Sequence, residues 1–211
     1  MLDIHAPGHP VFGVRDFFLH LLTITAGLLI ALGLEAGVEA VHHRHLRHEA
    51  EANILQELRD NRQDIQKCID AAAAEEASLK SAEMFAQARM QNKPYDIHSI
   101  QLGFNLATVR DDSWRTATTT GVVNYMDYSE VKKFSSTYRL QDQFVALQAS
   151  TLDSYIQLQS YILIGFDPEK FPPELARVAA RDIQQTLAHL EATRQIGVAY
   201  LHKIDEVLKE S

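Results

Sequence analysis

Residues 17–34 read FFLHLLTITAGLLIALGL, eighteen consecutive positions without a charged side chain. As an α-helix this stretch would extend roughly 27 Å, close to the thickness of the hydrocarbon core of a bilayer. Extending it to residue 41 adds only Glu35 and Glu39 as charged residues. We therefore predict a transmembrane helix over residues 16–41, after an irregular tail over residues 1–15. A cleaved signal peptide and a buried helix of a soluble core are the alternatives.

A long helix is predicted directly after this segment. Residues 38–93 contain no glycine or proline and are rich in Ala, Glu, Gln, Leu and Arg, which favour helix. Asn61 and Glu75 interrupt an apolar stripe whose members recur at steps of three, four or seven. The members of this stripe are Ile54, Leu58, Ile65, Cys68, Ala72, Leu79 and Ala82. We expect a helix over residues 42–93 that packs through this stripe.

Two more helices are predicted in the C-terminal half. Pro94 ends the preceding helix, residues 95–128 resemble a short helical insert, and a helix is expected over residues 129–165. Its apolar face would contain Val131, Phe134, Tyr138, Phe144, Leu152, Tyr155 and Ile162. In the last helix, residues 172–210, apolar steps of four and three alternate as in a coiled coil. That series is Ile183, Leu187, Leu190, Arg194, Gly197, Leu201, Ile204 and Leu208.

The predicted fold class is all-α. One N-terminal transmembrane helix continues into an antiparallel bundle of long helices, with coiled-coil-like packing, over residues 42–211. No stretch has a convincing alternating strand pattern.

Composition excludes several classes of protein. Lys and Arg total 20 against 28 Asp and Glu, a net charge of −8 without a basic run, so nucleic acid is not an expected partner. The single cysteine, Cys68, rules out an internal disulfide framework and a Cys-based zinc site. A Gly-rich phosphate loop, a Gly-x-Ser-x-Gly elbow and a His-Glu-x-x-His pair are missing. We predict no catalytic residue and no enzyme, and we expect Cys68 to pack within the apolar stripe.

Histidines follow the apolar segment closely. His42, His45 and His48 are spaced by three, so they share part of one helical face and could bind zinc, copper or nickel. Ligation of a tetrapyrrole is a weaker reading. No cofactor is predicted beyond such a possible transition metal. The alternative is an interfacial patch of partly titrating histidines beside Arg44 and Arg47.

A second polar set lies on one helical stripe. Glu35, Glu39 and His42 stand at positions i, i+4 and i+7. In an oligomer they could line the mouth of a pore and attract cations. The alternative is that they mark the water boundary of the span, each solvated or paired.

Small residues within the span favour helix association in lipid. Gly27 and Ala31 are four apart, as are Gly33 and Gly37, and such spacing lets backbones approach closely. This pattern predicts self-association of the span.

One further segment could form a small-ligand pocket. Trp114 is followed by hydroxyl residues that include Thr118 and Thr119. The alternative is a short capped helix whose tryptophan fills the end of a bundle.

Three motifs carry a resemblance to known proteins. They are Leu29-Ile30-Ala31-Leu32 at the end of the span, the run from Ile54 to Asn61, and Ser113-Trp114-Arg115-Thr116-Ala117 followed by Gly121. Over about residues 15–140 the chain resembles a group of uncharacterised bacterial single-pass membrane proteins with a helical domain of unknown function. The resemblance implies this architecture and no particular chemistry.

These patterns predict a membrane-anchored structural or interaction protein. It would self-associate or serve as an accessory subunit of a membrane complex, with the lipid bilayer and copies of itself or other subunits as partners. The alternative function is a metal-binding or ion-conducting homo-oligomer. Residues 42–62 carry four arginines and residues 1–15 only Arg15, so we expect a bacterial inner-membrane protein with a cytoplasmic helical domain. A periplasmic domain is the alternative.

Overall fold

The structure is a computed structural model, and it describes residues 13–95, 100, 102–163 and 167–210. Within these residues there are four α-helices and no strand: α1 (Val14–Met90), α2 (Asp112–Thr119), α3 (Tyr128–Leu163) and α4 (Pro173–Lys209). Two short 3-10 turns cover Val122–Tyr125 and Pro168–Lys170. The predicted all-α class is confirmed, and the apolar segment and the helix after it form one element, α1.

The chain divides into two units, Met1–His48 and Glu49–Ser211. In the described part of the first unit no residue is buried, and its large apolar side chains are exposed. Only α1, among the helices of the described residues, contains a window long and apolar enough to cross a membrane, and none of that window is buried. Signal sequences and core helices of soluble proteins meet the same criteria of length and composition.

The second unit contains a continuous buried face on α1. All seven residues of the predicted stripe are buried, which confirms its position. Two polar residues that interrupt the stripe in the sequence, Asn61 and Glu75, are buried too. With them, buried positions alternate steps of four and three from Ile54 to Ala86.

The buried face of α3 has the same spacing but is more polar than predicted. Its buried positions at steps of three and four are Phe134, Thr137, Gln141, Phe144, Gln148, Thr151, Tyr155 and Leu158. Val131 and Leu152 are only partly buried, and the side chain of Ile162 lies outside the described residues. Hydroxyl and amide groups therefore share this buried face with four of the predicted residues, Phe134, Tyr138, Phe144 and Tyr155.

On α4 five of the eight predicted coiled-coil positions are buried and three are not. Ile183, Leu190, Gly197 and Ile204 are buried as predicted. The buried positions between them include Thr186, Thr193, Tyr200 and Val207, whereas Leu187 and Leu208 are only partly buried. Leu201 is also buried, but Arg194 is exposed. The threonines can be buried because their hydroxyls are bonded, Thr186 to the Asp182 carbonyl and Thr193 to Thr151.

Among the residues described, the predicted short helical insert over residues 95–128 is helical only in its second half, where α2 and the 3-10 turn Val122–Tyr125 lie. Residues 102–111 form no helix, and they lie along α1 in the opposite direction, since Asn105 bonds to Glu75, Arg110 to Asn61 and Ser113 to Glu57. We call residues 105–113 the strap. Such a backbone has no strand neighbour, so side chains must satisfy its polar groups.

A left-handed residue ends α1 and begins this connection. Asn92 has a φ of 53°, and the Lys93 N–H donates to the Ala88 carbonyl at 2.9 Å. This arrangement satisfies the last carbonyls of a helix, and asparagine tolerates the left-handed conformation better than most residues.

Candidate functional site

Asn61 is the centre of a buried polar network between α1, α3, α4 and the strap. Its amide holds both backbone groups of Arg110: Nδ2 donates to the carbonyl at 2.7 Å, and Oδ1 accepts from the N–H at 2.8 Å. Gln141 accepts from Asn61 Nδ2 at 3.1 Å, donates to the same carbonyl at 3.0 Å, and accepts from the Tyr200 hydroxyl. Two amide side chains thus replace the backbone partners that a strand would supply.

Glu57 binds the end of the strap one turn earlier on α1. One carboxylate oxygen accepts the Tyr138 hydroxyl at 2.5 Å, and the other accepts the backbone N–H of Ser113 at 2.8 Å. Burial, and then the hydrogen bond to Glu57, raise the pKa of Tyr138 well above its ordinary value. Tyr138 therefore stays protonated and acts as a fixed donor.

Gln148 of α3 repeats this arrangement in the middle of the strap. Its Oε1 accepts from the Ala107 N–H at 2.9 Å, and its Nε2 donates to the Ala107 carbonyl at 3.0 Å. Nearby, the Cys68 thiol donates to the Asn105 carbonyl at 3.2 Å. Burial, and then the neighbouring Glu75, raise the pKa of Cys68 to about 11, so the thiolate needed for nucleophilic attack is scarce at neutral pH.

Glu75 is the one member of this set with an incomplete hydrogen-bond shell. Its Oε1 accepts the backbone N–H of Asn105 at 2.7 Å and the side-chain amide of Asn105 at 2.6 Å. Its Oε2 is buried and has no hydrogen-bond partner within the part of the chain that the structure describes. Glu75 also lines an open pocket of about 560 Å³, which makes it the candidate site in the second unit.

The contacts of Trp114 favour the packing alternative over a ligand pocket. Its ring is stacked on Tyr138, with centroids 5.5 Å apart at 7°, and contacts Phe134 at 6.1 Å. The hydroxyls of Thr118 and Thr119 both donate to the Arg115 carbonyl, at 2.9 and 2.8 Å. These bonds use the hydroxyl protons within α2, and the predicted pocket stays a prediction.

The predicted metal and cation residues lie on α1 in the first unit. His42, His45 and His48 are exposed, as are Glu35 and Glu39. Within the part of the chain that the structure describes, no three His, Cys, Asp or Glu side chains are placed to hold a metal ion. The metal site and the cation-attracting stripe both stay predictions, since each relied on further copies of the chain.

The small residues of the span have open space around them. A Cβ built at Gly27, Gly33 or Gly37 has no neighbour within 4 Å, and Ala31 is exposed. The described residues of a single chain do not pack against these positions, so the predicted self-association stays a prediction.

Comparison with known proteins does not extend this description. No protein-family model, curated protein or solved structure matches the chain. The resemblance to bacterial single-pass membrane proteins therefore stays a prediction as well.

Sequence reasoning missed the residues that bind the strap. Asn61 and Glu75 were noticed only as interruptions, and Glu57, Gln141 and Gln148 were not singled out. A usable signal was present, because Asn61 and Glu75 continue the four–three spacing of the apolar stripe. A polar side chain at the spacing of a buried face is expected to be buried as well, and it then needs a hydrogen-bond partner such as a buried backbone group.

Proposed function

We propose that the chain is a membrane-anchored helical structural or interaction protein, which self-associates or serves as an accessory subunit of a membrane complex. One observation carries the proposal. The 18-residue apolar window of α1 has no buried residue, whereas the second unit has apolar clusters of its own. An uncovered apolar surface of this length requires lipid or another protein.

The side chains of this window support lipid as the main cover. They are large, apolar and exposed around the whole helix rather than on one stripe: Phe17, Phe18, Leu19, Leu21, Leu22, Ile24, Leu28, Leu29, Ile30, Leu32 and Leu34. A helix that packs on a single protein partner needs only one apolar stripe, while a helix in lipid needs apolar residues on all sides.

We further propose that the second unit is a three-helix bundle in which α4 runs antiparallel to α1 and to α3. The hydrogen bonds and ion pairs between the helices support this direction. Along α3 and α4, residue numbers change in opposite senses through Lys133–Glu210, Gln141–Tyr200, Thr151–Thr193, Ser154–His189 and Gln157–Asp182. Between α1 and α4 they do so through Arg62–Asp205 and Glu83–Gln184.

The same reasoning gives α1 and α3 a common direction. Glu57 bonds to Tyr138 and Asn61 to Gln141, so residue numbers rise together. Parallel neighbours need a long return connection, and the strap supplies it. The four–three spacing of buried residues on all three helices supports coiled-coil-like packing.

Membrane extraction tests the anchor. We expect the full chain to stay in the membrane pellet after alkaline carbonate washing and to need detergent for release. Recovery in the carbonate supernatant would contradict the proposal.

The mass of the detergent-solubilised protein tests self-association. We expect a mass of more than one chain after correction for detergent, and a lower mass for the double variant Gly33→Leu/Gly37→Leu, because bulk prevents close approach of the helices. The matched control is Ala26→Leu/Ile30→Leu. If the glycine variant formed an unchanged oligomer, the interface would lie outside these glycines. If the parent protein were a monomer, self-association would be wrong and only the accessory-subunit form of the proposal would remain.

The arginine distribution supports a cytoplasmic second unit, because basic residues near a span are retained on that side. Protease added to intact spheroplasts should leave residues 49–210 undigested. Digestion from outside would place this unit in the periplasm.

A further inference from the structure

The open pocket beside Glu75 lies on the second unit, between α1 and the residues that lead into the strap. Its walls are mainly short side chains and backbone: Ala74, Ala77, Ser78 and Ser81 from α1, with Leu102, Gly103 and Asn105 opposite. A Cβ added at Gly103 would meet no atom within 4 Å, so the space beside the glycine is open. The volume of about 560 Å³ is that of a small-molecule site.

Glu75 brings an unneutralised carboxyl group to this pocket. The residue is only 7% exposed, and both hydrogen bonds to its Oε1 come from neutral groups of Asn105. Among the described residues, its Oε2 has no hydrogen-bond partner. A buried carboxylate normally has a cation or a full set of donors, so this oxygen lacks what its burial requires.

Within the described part of the chain, the influences on Glu75 come from burial and from neutral groups. Burial is the largest influence on its carboxyl and raises its pKa, and the opposing influences are the two hydrogen bonds from Asn105. On the α3 side, Tyr155 is 2% exposed, and its hydroxyl has no hydrogen-bond partner among the residues that the structure describes. Burial, and then the charge of Glu75, raise the pKa of Tyr155, so this neighbour is a neutral phenol.

We propose that the pocket binds a small aliphatic amine, whose ammonium group donates to Glu75 and whose carbon chain lies against Ala74, Ala77 and Leu102. An ammonium supplies both the charge and the donors that the carboxyl lacks, and charge-assisted hydrogen bonds are stronger than neutral ones. Ser81 gives its proton to the Ala77 carbonyl at 3.1 Å, so its oxygen keeps lone pairs for a second N–H. The net charge of −8 also attracts cations.

The test uses the full chain in a neutral detergent, with n-propylammonium chloride as the probe and 1-propanol as its uncharged match. Binding is measured by saturation-transfer NMR at neutral pH. We expect a saturable signal for propylammonium and at least tenfold weaker binding of propanol. Equal binding of both, or no saturable signal from propylammonium at 100 mM, would overturn the proposal.

Three variants place the binding in the pocket. Gly103→Leu fills the open space while retaining Glu75, and it should reduce propylammonium binding at least tenfold. Glu75→Gln removes the charge and should have the same effect. Ala73→Leu is the control, since Ala73 is exposed on α1 but does not border the pocket. The fluorescence of Trp114 checks folding of each variant. Normal binding by a folded Gly103→Leu protein would also overturn the proposal.

Discussion

Residues 14–48 and residues 49–90 belong to the same helix, yet they relate to their surroundings in opposite ways. The first stretch has no buried residue, whereas the second has a buried position every three or four residues from Ile54 to Ala86. Helix formation therefore does not distinguish them. The difference lies in the side-chain pattern, because residues 17–34 of the first stretch are apolar on all sides, while the apolar residues of the second stretch lie mainly on one face.

The space around the glycines shows the same contrast between the two regions. Gly27, Gly33 and Gly37 have no atom within 4 Å of an added Cβ, while at Gly197 of α4 such a Cβ would lie 3.2 Å from Phe144 and 3.4 Å from Ile69. Gly197 thus marks a point where α1, α3 and α4 approach one another closely. The same residue type provides open surface in one region and close packing in the other.

The largest expected effect comes from placing charge in the first stretch. The double variant Ile24→Lys/Leu28→Lys should leave the membrane fraction, because each central lysine costs about 3 kcal/mol of insertion free energy. The measurement is the share of chain recovered in carbonate-washed membranes. Leu106→Lys/Val178→Lys adds the same charge at exposed positions of the second unit and should not change this share. Equal recovery of both variants in the membranes would contradict the proposal that the first stretch lies in lipid and the second unit in water.

Removing the amide of Asn61 should produce the next largest effect. Asn61→Ala removes the partner of the Arg110 N–H and one of the two donors to the Arg110 carbonyl, and we expect a loss of about 3 kcal/mol in the free energy of unfolding. Urea unfolding followed by the fluorescence of Trp114, the only tryptophan, measures it. Asn53→Ala, at an exposed position of the same helix, should change stability by less than about 0.5 kcal/mol. Similar losses in both would mean that the network does not stabilise the fold.

Overpacking at Gly197 should cost somewhat less. Gly197→Leu forces its side chain against Phe144 and Ile69, and we expect a loss of about 1–3 kcal/mol in the free energy of unfolding. The control is Ala199→Leu, which lies exposed on α4. A Gly197→Leu protein as stable as this control would argue against close approach of the three helices at that point.

The smallest effect is expected at the ion pair between Arg62 and Asp205. Arg62 Nε lies 2.6 Å from the carboxylate, but both side chains are more than one-third exposed, so Arg62→Gln should cost no more than about 1 kcal/mol. The hydrogen bond and charge of Arg62 lower the pKa of Asp205, so this stabilisation is present above the ordinary aspartate pKa and is lost as pH falls through the lowered value.

Thermal unfolding at neutral and acidic pH measures this dependence. The difference between Arg62→Gln and the parent should vanish once Asp205 is protonated, and 1 M salt should reduce it at neutral pH. Arg59→Gln, on the exposed side of the same helix, is the control. If the stability difference between Arg62→Gln and the parent grew on acidification, the lowered pKa assigned to Asp205 would be contradicted.

Much of the fold could be predicted because apolar periodicity reports burial directly. The seven stripe residues of α1 and the series from Ile183 to Ile204 on α4 follow from spacing alone. The alternate series on α4 was misassigned because Thr186 and Thr193 look like surface residues until their hydrogen bonds are known. Likewise, nothing in residues 102–111 reveals an extended segment, because its backbone partners come from residues 30 to 50 positions away.

The candidate site was harder to predict than the fold. Asn61 and Glu75 could be located from their phase on α1, but the sequence does not reveal that Oε2 of Glu75 lacks a partner or that a pocket adjoins it. Those properties depend on where Asn105 and Gly103 lie in three dimensions, and both are about 30 residues from Glu75 along the chain.

The long-range hydrogen bonds of α1 also impose an order on biosynthesis. Glu57 and Asn61 bond to Ser113, Arg110, Tyr138 and Gln141, which a ribosome adds only after all of α1. From Met90 to Lys209 the chain grows by another 119 residues, which takes roughly 6 to 24 s at about 5–20 residues per second. Until both α3 and α4 have been added, the apolar and carboxyl-bearing face of α1 lacks part of its native cover. The nascent chain is thus most vulnerable to aggregation and to chaperone capture before α4 has emerged.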